Sequence, residues 1–247
     1  MKIKIICKQP TSIIQETLEQ ADHEIVKSPL ETPDLLIAYG GDGTILYALK
    51  ESNGTIPVLP VREGNSVGYI ADMNLEQFKQ AISSLDKFKT KELSALESLE
   101  NHAVNDIIFA GTIPRSIKFN IYHNGQLLLK QVTGDGIIIS TPLGSTAYNL
   151  SAGGPILLTK NIVMTLNNPH SHKKLSYVFP STDLIELQPI TKAELIFDGR
   201  ISDKITLQEN QKVIIRLSDK KFLLAKIPGF EETDHQKRTR LINRCSL

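Results

Sequence analysis

The spacing of apolar residues changes near residue 100 of this 247-residue chain. Before that point, short apolar runs typical of buried strands, such as residues 35–39, alternate with segments of helical periodicity, such as residues 44–50. After it, strand-like runs follow one another with little helix between them. The first pattern predicts a parallel sheet covered by helices, and the second predicts an all-β region such as a sandwich.

We therefore predict a Rossmann-like α/β domain over residues 1–100 and an all-β, sandwich-like domain over residues 101–230. The charged segment 231–247 is predicted to form a helical tail that packs back on the first domain. Its basic cluster, at residues 237–240, is expected on a solvated helix face. Because ligands of open α/β sheets bind beyond the carboxyl ends of the strands, the site is expected in the crevice between the two domains.

The composition excludes several classes of protein. The formal net charge is only +1, which is not that of a bulk nucleic-acid binder, and no apolar stretch reaches membrane-spanning length. The N-terminal apolar run contains lysines and is typical of a first strand rather than a signal peptide, so a cytoplasmic location is expected. Cys7 and Cys245 lie at opposite ends of the chain and are expected to be reduced.

The sequence GGDGT at residues 40–44 stands between a predicted strand and a predicted helix. Glycines let the main chain approach a ligand closely, and the amides at a helix N-terminus attract anions. A carboxylate repels phosphate, so Asp42 makes chemical sense as a base toward a hydroxyl or as an orienter of a metal. The alternative is that Asp42 only caps a turn.

A second glycine-flanked aspartate, Asp135, opens a longer motif over residues 134–155. A predicted buried strand at residues 136–140 leads there into a stretch rich in hydroxyl groups and glycine. The hydroxyls and amides of such a loop can bind a nucleotide, and Tyr148 can stack against one. The alternative is a plain hairpin loop with turn residues.

Together, the two motifs resemble those of the NAD kinase family, whose members transfer a phosphoryl group to the adenosine ribose 2′-hydroxyl of NAD. GGDGT matches the first signature of that family, and the sequences STP, GSTAY and AGGP within residues 140–155 match the second. Asn105-Asp106 and Asp198-Gly199 match two shorter elements in the family's order. The matches extend from residue 35 to residue 200 and imply the fold of that family.

The resemblance implies a role for each matched residue. Asp42 would be the base or orienter for the attacking hydroxyl, within a phosphate loop formed by Gly40, Gly41, Gly43 and Thr44. The residues that would bind the dinucleotide are Tyr69, Asn105, Asp106, Asp135, Thr146, Ala147, Tyr148 and Ser151. Two further candidate contacts are Arg62 and Asp198.

The resemblance also implies ATP or polyphosphate as phosphoryl donor, Mg²⁺ or another divalent cation as cofactor, and a homodimer or homotetramer. Residues 60–70 depart from the family pattern, since Pro60 replaces a glycine and Arg62 replaces an asparagine. Arg62 could bind a phosphate or pair with Glu63. Two alternatives stay open: a lipid or other small-molecule kinase that shares the GGDGT loop, and a nucleotide-binding regulator without catalysis.

Overall fold

The structure is a computed structural model that describes residues 1–8, 12–28, 30–64, 68–113, 115–170 and 175–245, with side chains up to residue 240. Residues 65–67 of the divergent segment lie outside this described part. The chain divides into two compact units. Unit 1 comprises Met1–Leu93 and Lys221–Leu247, and unit 2 comprises Ser94–Lys220.

The strands, in chain order, are β1 (Lys2–Cys7), β2 (Glu24–Ile25), β3 (Leu35–Tyr39), β4 (Val58–Arg62), β5 (Met73–Asn74), β6 (Lys89–Ser98), β7 (Asn101–Ala103), β8 (Asp106–Gly111), β9 (Ile117–His123), β10 (Gln126–Gly134), β11 (Gly136–Ser140), β12 (Asn161–Asn167), β13 (Ser176–Pro180), β14 (Ile185–Pro189), β15 (Ala193–Phe197), β16 (Arg200–Leu207) and β17 (Val213–Lys226). The α-helices are α1 (Ser12–Glu19), α2 (Asp42–Ser52), α3 (Leu75–Ala81), α4 (Tyr148–Ser151) and α5 (Asp234–Cys245). Short 3₁₀ helices cover Ile82–Lys87 and Gly144–Thr146. No helix in the described part of the chain has the length and apolar character needed to span a bilayer.

Unit 1 is built around a parallel sheet with the strand order β2-β1-β3-β4. Strand β4 also pairs with β5 and, through Val58 and Leu224, with β17. Four of the five residues of β3 are buried, because a central strand of such a sheet is covered on both faces. This confirms the predicted parallel α/β sheet. Residues 40–44 leave the sheet at the edge where β3 and β4 both end.

Helix α2 begins at Asp42, two residues before the predicted start, and ends at Ser52. Gly41 is its extended N-cap residue, and Asn53 closes it in the left-handed conformation with its amide bonded to the Lys50 carbonyl. The early start places the Asp42 carboxylate in the first helical turn. The helix dipole favours a negative charge at that position.

Unit 2 consists of antiparallel strands around one apolar core. Six strands form a sheet in the order β13-β12-β11-β8-β15-β16, while β10, β9, β14 and the first part of β17 pair in that order. Phe109 of β8 and Phe119 of β9 meet edge to face with ring centroids 5.3 Å apart, so both sets of strands fill the same core. The predicted all-β region is confirmed.

Two tight turns with paired left-handed residues shape unit 2. Asn124 and Gly125 have φ values of 48° and 81° and join β9 to β10 in a hairpin, the turn that an Asn-Gly pair favours. Asp198 and Gly199, with φ values of 50° and 68°, join β15 to β16 in the same way. This second turn fixes the direction of the Asp198 side chain.

Two segments of unit 2 depart from a simple succession of strands and hairpins. Residues 103–109 are strand-like in the sequence, but the structure interrupts this run, since β7 ends at Ala103 and β8 begins at Asp106. The segment after β11 is not a plain hairpin loop, because it contains a 3₁₀ helix and then α4. Its hydroxyl groups bond back to the preceding turn: Ser145 Oγ donates to the Pro142 carbonyl at 2.7 Å. Local side-chain bonds of this kind replace the extended conformation.

The side chain of Cys7, at the end of β1, is a free thiol, as expected. The side chain of Cys245 lies outside the described part of the chain.

Candidate active site

The carboxylate of Asp42 is held by two main-chain amides within unit 1. Tyr69 donates its N–H to Oδ2 at 2.7 Å, and Ile70 donates its N–H to Oδ1 at 3.0 Å. An ionised carboxylate offers about four lone-pair positions, so room is left for a hydroxyl group or a metal-bound water. The two amides therefore fix the direction of the carboxylate without saturating it.

The loop around Asp42 has the features of an anion cradle. Gly40 has a φ of 154°, and a Cβ there would lie 2.6 Å from Thr44 Oγ1, so a larger residue does not fit. At Gly43, in contrast, a Cβ would lie more than 4 Å from every atom outside its own helix turn in the part of the chain that the structure describes. The Thr44 hydroxyl is buried and has no hydrogen-bond partner among the described residues. An unpaired buried hydroxyl in a glycine loop with open space suits a bound oxyanion.

Tyr69 and Arg62 are both contacted by residues near the C-terminus. Burial raises the pKa of the Tyr69 phenol, whose side chain is hydrogen-bonded to Arg238. Arg62 Nη2 lies 3.6 Å from a carboxylate oxygen of Glu232, a partner that the sequence does not suggest. Contact of Tyr69 and Arg62 with a nucleotide stays a prediction.

Asp198 organises residues 104–106 within unit 2. Its Oδ2 accepts the N–H of Val104 at 3.0 Å, and its Oδ1 accepts those of Asn105 and Asp106 at 2.7 and 3.2 Å. Three consecutive amides thus bond to a side chain instead of a neighbouring strand, which explains the break between β7 and β8. Both carboxylate oxygens are used in this way, which indicates that Asp198 positions the Asn105-Asp106 pair.

Burial and the nearby Asp198 charge raise the pKa of Asp106 to about 7. Burial also raises the pKa of Asp198, although its three amide donors act in the opposite direction. Because amide donors stabilise the ionised form, Asp198 is the member of the pair that ionises more readily, and Asp106 titrates near neutral pH. The Oδ1 atom of Asn105 is buried without a hydrogen-bond partner among the described residues. Asn105 and Asp106 therefore present a free acceptor next to a carboxyl group that titrates near neutrality.

The raised pKa of Asp106 predicts that stability falls as pH rises. The folded-state pKa of about 7 lies above the ordinary value of 3.8, so the folded chain binds the extra proton between these values. The resulting stabilisation is complete below about pH 4 and is lost as pH rises through about 7. We expect a lower urea midpoint at pH 8 than at pH 5, and a smaller difference in Asp106→Asn. An equal difference in both proteins would contradict this assignment.

The second motif packs directly on the Asn105 segment. The Thr141 N–H donates to the Asn105 carbonyl at 2.9 Å, and Thr141 Oγ1 donates to the Val104 carbonyl at 2.6 Å. A Cβ on Gly144 would lie 2.0 Å from the same Asn105 carbonyl oxygen. Glycine at position 144 is thus required by the close approach of two main-chain segments. Thr141 and Gly144 acquire a positioning role that the sequence did not assign.

The remaining residues of the second motif are placed on the two short helices. Thr146 is buried, and its Oγ1 donates to the Leu143 carbonyl at 2.9 Å. Ala147 joins the 3₁₀ helix to α4. The hydroxyl of Tyr148 accepts a hydrogen bond from Asn167 Nδ2 at 3.1 Å, and Ser151, the last residue of α4, is exposed.

Asp135 lies between β10 and β11 and is exposed. Its Oδ2 accepts a hydrogen bond from Asn168 Nδ2 at 3.1 Å. Asp135, Asn167 and Arg115 are among the residues that line a cavity of about 440 Å³ in unit 2. The predicted site residues thus divide between unit 1, around Asp42, and unit 2, where Asn105-Asp106 lie beside the Ser140 end of β11 and Asp135 lies beside its Gly136 end.

The carboxylate ligands that the site offers suit a metal ion that binds together with a nucleotide. Within the described ranges, no three His, Cys, Asp or Glu side chains cluster closely enough to hold a metal ion. Mg²⁺ is commonly bound by one or two carboxylates together with substrate phosphates rather than by a complete protein cage. A single oriented carboxylate, that of Asp42, in the glycine loop at residues 40–44 fits this arrangement.

A buried cluster of charges was missed by sequence reasoning. Asp72 forms ion pairs with both Lys226 and Lys237, and all three side chains are buried. The prediction that Lys237 lies on a solvated helix face is therefore wrong: a buried carboxylate needs charged partners, and Lys237 is one of them. The available signal was the position of Asp72 inside the apolar run formed by residues 70–73.

Comparison with known proteins identifies relatives of both units. Residues 7–93 match the ATP-NAD kinase N-terminal domain, and residues 105–227 match the ATP-NAD kinase C-terminal domain. An NAD kinase of Lachnoclostridium phytofermentans is 32% identical over 241 residues, which cover 88% of this chain and 83% of that protein. An NAD kinase of Sulfurimonas denitrificans is 32% identical over 211 residues, 76% of this chain and 70% of that protein.

Solved structures share the fold. A crystal structure of an NAD kinase from Archaeoglobus fulgidus in complex with ATP superimposes with a TM-score of 0.83 and 22% identity, over 98% of this chain and 99% of that one. Yeast NADH kinase complexed with NADH superimposes with a TM-score of 0.77 and 23% identity, over 98% and 86% of the two chains. These structures support the same fold, and the sequence relatives at 32% identity establish the kinship. The chain therefore belongs to the NAD kinase family.

Proposed function

We propose that this chain transfers the γ-phosphoryl group of ATP to the 2′-hydroxyl of the adenosine ribose of NAD, giving NADP and ADP. The observation that carries the proposal is the loop at residues 40–44 of a member of the NAD kinase family. It combines open space at Gly43, an unpaired buried hydroxyl at Thr44 and an oriented carboxylate at Asp42. A phosphoryl-transfer site needs these features, since its catalysis is mainly positioning and charge stabilisation.

The residues of the two units have different tasks in this proposal. Asp42 accepts the hydrogen bond of the attacking 2′-hydroxyl and takes its proton as the O–P bond forms. The amides of Tyr69 and Ile70 keep the carboxylate aimed at that hydroxyl. Asn105 and Asp106 bind ribose hydroxyls, because one offers an unpaired buried acceptor and the other a carboxyl group. The exposed side chains of Tyr148 and Asp135 contact the rest of the dinucleotide.

A divalent cation, Mg²⁺ in the first instance, accompanies the donor. When bound, it neutralises charge on the donor phosphates. The carboxylate of Asp42 is the group in unit 1 that would hold it or a water bound to it, through the lone pairs that its two amide donors leave free.

A direct assay tests the function and its alternatives. Purified protein is given NAD, ATP and Mg²⁺, and NADP is measured with an NADP-specific dehydrogenase. Parallel reactions replace ATP by polyphosphate, NAD by NADH, or NAD by a lipid acceptor. NADP formation is expected; phosphorylation of the lipid alone would favour a lipid kinase, and tight NAD binding without turnover would favour a regulator.

Replacement of Gly43 by alanine is expected to lower turnover by about tenfold or more without loss of stability. Beyond its own helix turn, the added Cβ meets no atom of the described residues within 4 Å, and alanine favours a helix over glycine by about 1 kcal/mol. The methyl group would instead occupy space assigned to phosphate. Steady-state kinetics and thermal unfolding measure the two effects. The matched control, Glu51→Ala on the exposed face of α2, should leave turnover unchanged.

We also propose that the chain assembles as a homodimer or homotetramer, as the family resemblance implies. Light scattering after size-exclusion chromatography measures the mass, which for one chain is 27.4 kDa. A mass of one chain at the concentrations used for the assay would contradict this proposal.

A further inference from the structure

The C-terminal helix α5 holds the main chain of residues 70 and 71. Lys237 Nζ donates a hydrogen bond to the Ile70 carbonyl at 2.9 Å. One turn later, Arg240 Nη2 donates to the Ala71 carbonyl at 3.2 Å. Both bonds lie within unit 1, although 167 and 169 residues of sequence separate the partners.

Helix α5 also contacts the side chains of the two flanking residues, Tyr69 and Asp72. Arg238 hydrogen-bonds the Tyr69 side chain, and Lys237 Nζ lies 6.0 Å from the centroid of the Tyr69 ring. Lys237 Nζ further pairs with Asp72 Oδ1 at 2.5 Å. Four consecutive residues, 69–72, are thus each bound by α5. We call these residues the tethered segment.

The tethered segment is also the support of Asp42. The amides that orient the Asp42 carboxylate belong to Tyr69 and Ile70, the first two residues of the segment. Ile70 is bound at both ends, since its N–H donates to Asp42 and its carbonyl accepts from Lys237. A displacement of the carbonyl would change the position of the amide, because only the φ and ψ rotations of one residue separate the two groups.

We propose that Lys237 is a positioning residue for the phosphoryl-transfer step, acting on Asp42 through the tethered segment. The inference rests on the proposed function, in which Asp42 addresses the 2′-hydroxyl. A misplacement of about 1 Å in a reacting group lowers turnover by about a hundredfold, so loss of one anchor is expected to affect kcat strongly. We expect KM to change little, because Lys237 binds the Ile70 carbonyl and not a group assigned to the substrate.

Lys226 provides a matched comparison. Like Lys237, it is buried and forms an ion pair with Asp72. Desolvation, together with the charge of Lys237, lowers the pKa of Lys226 to about 8. Lys226 donates a hydrogen bond to the Asp72 side chain. Lys237 pairs with the same side chain and also donates to the Ile70 carbonyl. Removal of either lysine leaves Asp72 with one cationic partner, but only removal of Lys237 releases the main chain that supports Asp42.

The test compares Lys237→Met with Lys226→Met in the full-length chain. We expect Lys237→Met to lower kcat by about tenfold or more and to change the KM values for NAD and ATP by less than about threefold. Lys226→Met should keep kcat within about twofold of the unsubstituted chain. Hydrogen exchange followed by mass spectrometry should show faster exchange of the Tyr69 and Ile70 amides in Lys237→Met than in Lys226→Met.

Equal loss of kcat in both methionine variants would overturn the inference, because it would trace the effect to the Asp72 ion pairs. Unchanged kcat and unchanged amide exchange in Lys237→Met would overturn it as well. If Lys237→Met does not fold, Arg240→Met removes the donor to the Ala71 carbonyl and must lower kcat without raising KM. An unsubstituted chain that forms no NADP contradicts the proposed function, while the exchange comparison still tests the tether.

Discussion

Replacement of Asp42 by asparagine is expected to lower kcat by about 10²–10⁴-fold and to leave the KM for NAD within about threefold. Asparagine cannot accept a proton, and it has one oxygen acceptor where the carboxylate has two. It therefore keeps at most one of the bonds from the Tyr69 and Ile70 amides. NADP formation measures kcat, and isothermal titration calorimetry measures NAD affinity independently of turnover.

Asp34→Asn is the matched control for this prediction. Asp34 is also an aspartate of unit 1 whose carboxylate accepts a main-chain N–H, that of Lys2, at 2.8 Å. Loss of that exposed bond should leave kcat unchanged. Full activity of Asp42→Asn would remove Asp42 from the mechanism. Parallel loss of NAD affinity and turnover would instead assign Asp42 to substrate binding.

The features predicted best from the sequence depend on local composition. Strand β11 occupies Gly136–Ser140, the predicted bounds, because its continuous apolar run suits a strand buried on both faces. The Asn124-Gly125 turn was predictable for a similar reason, since these two residues readily adopt the positive φ values of the hairpin. In both cases, the residues that determine the structure lie within the element itself.

The features that were missed depend on partners far along the chain. The break between β7 and β8 follows from Asp198, whose carboxylate binds amides 92 to 94 residues away. The burial of Lys237 depends on Asp72 and on the Ile70 carbonyl, which is 167 residues away. Considered alone, a basic helix face predicts solvated side chains. An aspartate inside an apolar run, considered alone, predicts an unpaired carboxylate. Only the fold brings them together.

The arrangement of the candidate site residues was therefore only partly predictable from the sequence. For positions 42, 105 and 106, the resemblance to the NAD kinase family implies hydroxyl and ribose chemistry, which suits carboxylates and amides because these groups can bind a diol. The sequence does not indicate which neighbours orient them. The orienting groups are main-chain amides in one case and the Asp198 carboxylate in the other, and neither leaves a motif of its own.

Replacement of Asp198 by asparagine is expected to raise the KM for NAD by about tenfold and to lower the free energy of unfolding by about 3 kcal/mol. The carboxylate accepts the amides of Val104, Asn105 and Asp106 with two oxygens. Asparagine offers one oxygen, and its amide group would face an N–H donor, which leaves a buried amide unpaired. The segment that carries the proposed ribose contacts would then lose its fixed geometry.

The pH dependence separates this positioning role from a general loss of stability. The charge of Asp198 helps to raise the pKa of Asp106, so its removal must lower that pKa. In Asp198→Asn, the Asp106-dependent fall in the urea midpoint should therefore move to a lower pH. Asp219→Asn, an exposed aspartate of unit 2, serves as the control and should leave KM, stability and this pH dependence unchanged. An unaltered KM for NAD in Asp198→Asn would show that the order of residues 104–106 does not depend on this carboxylate.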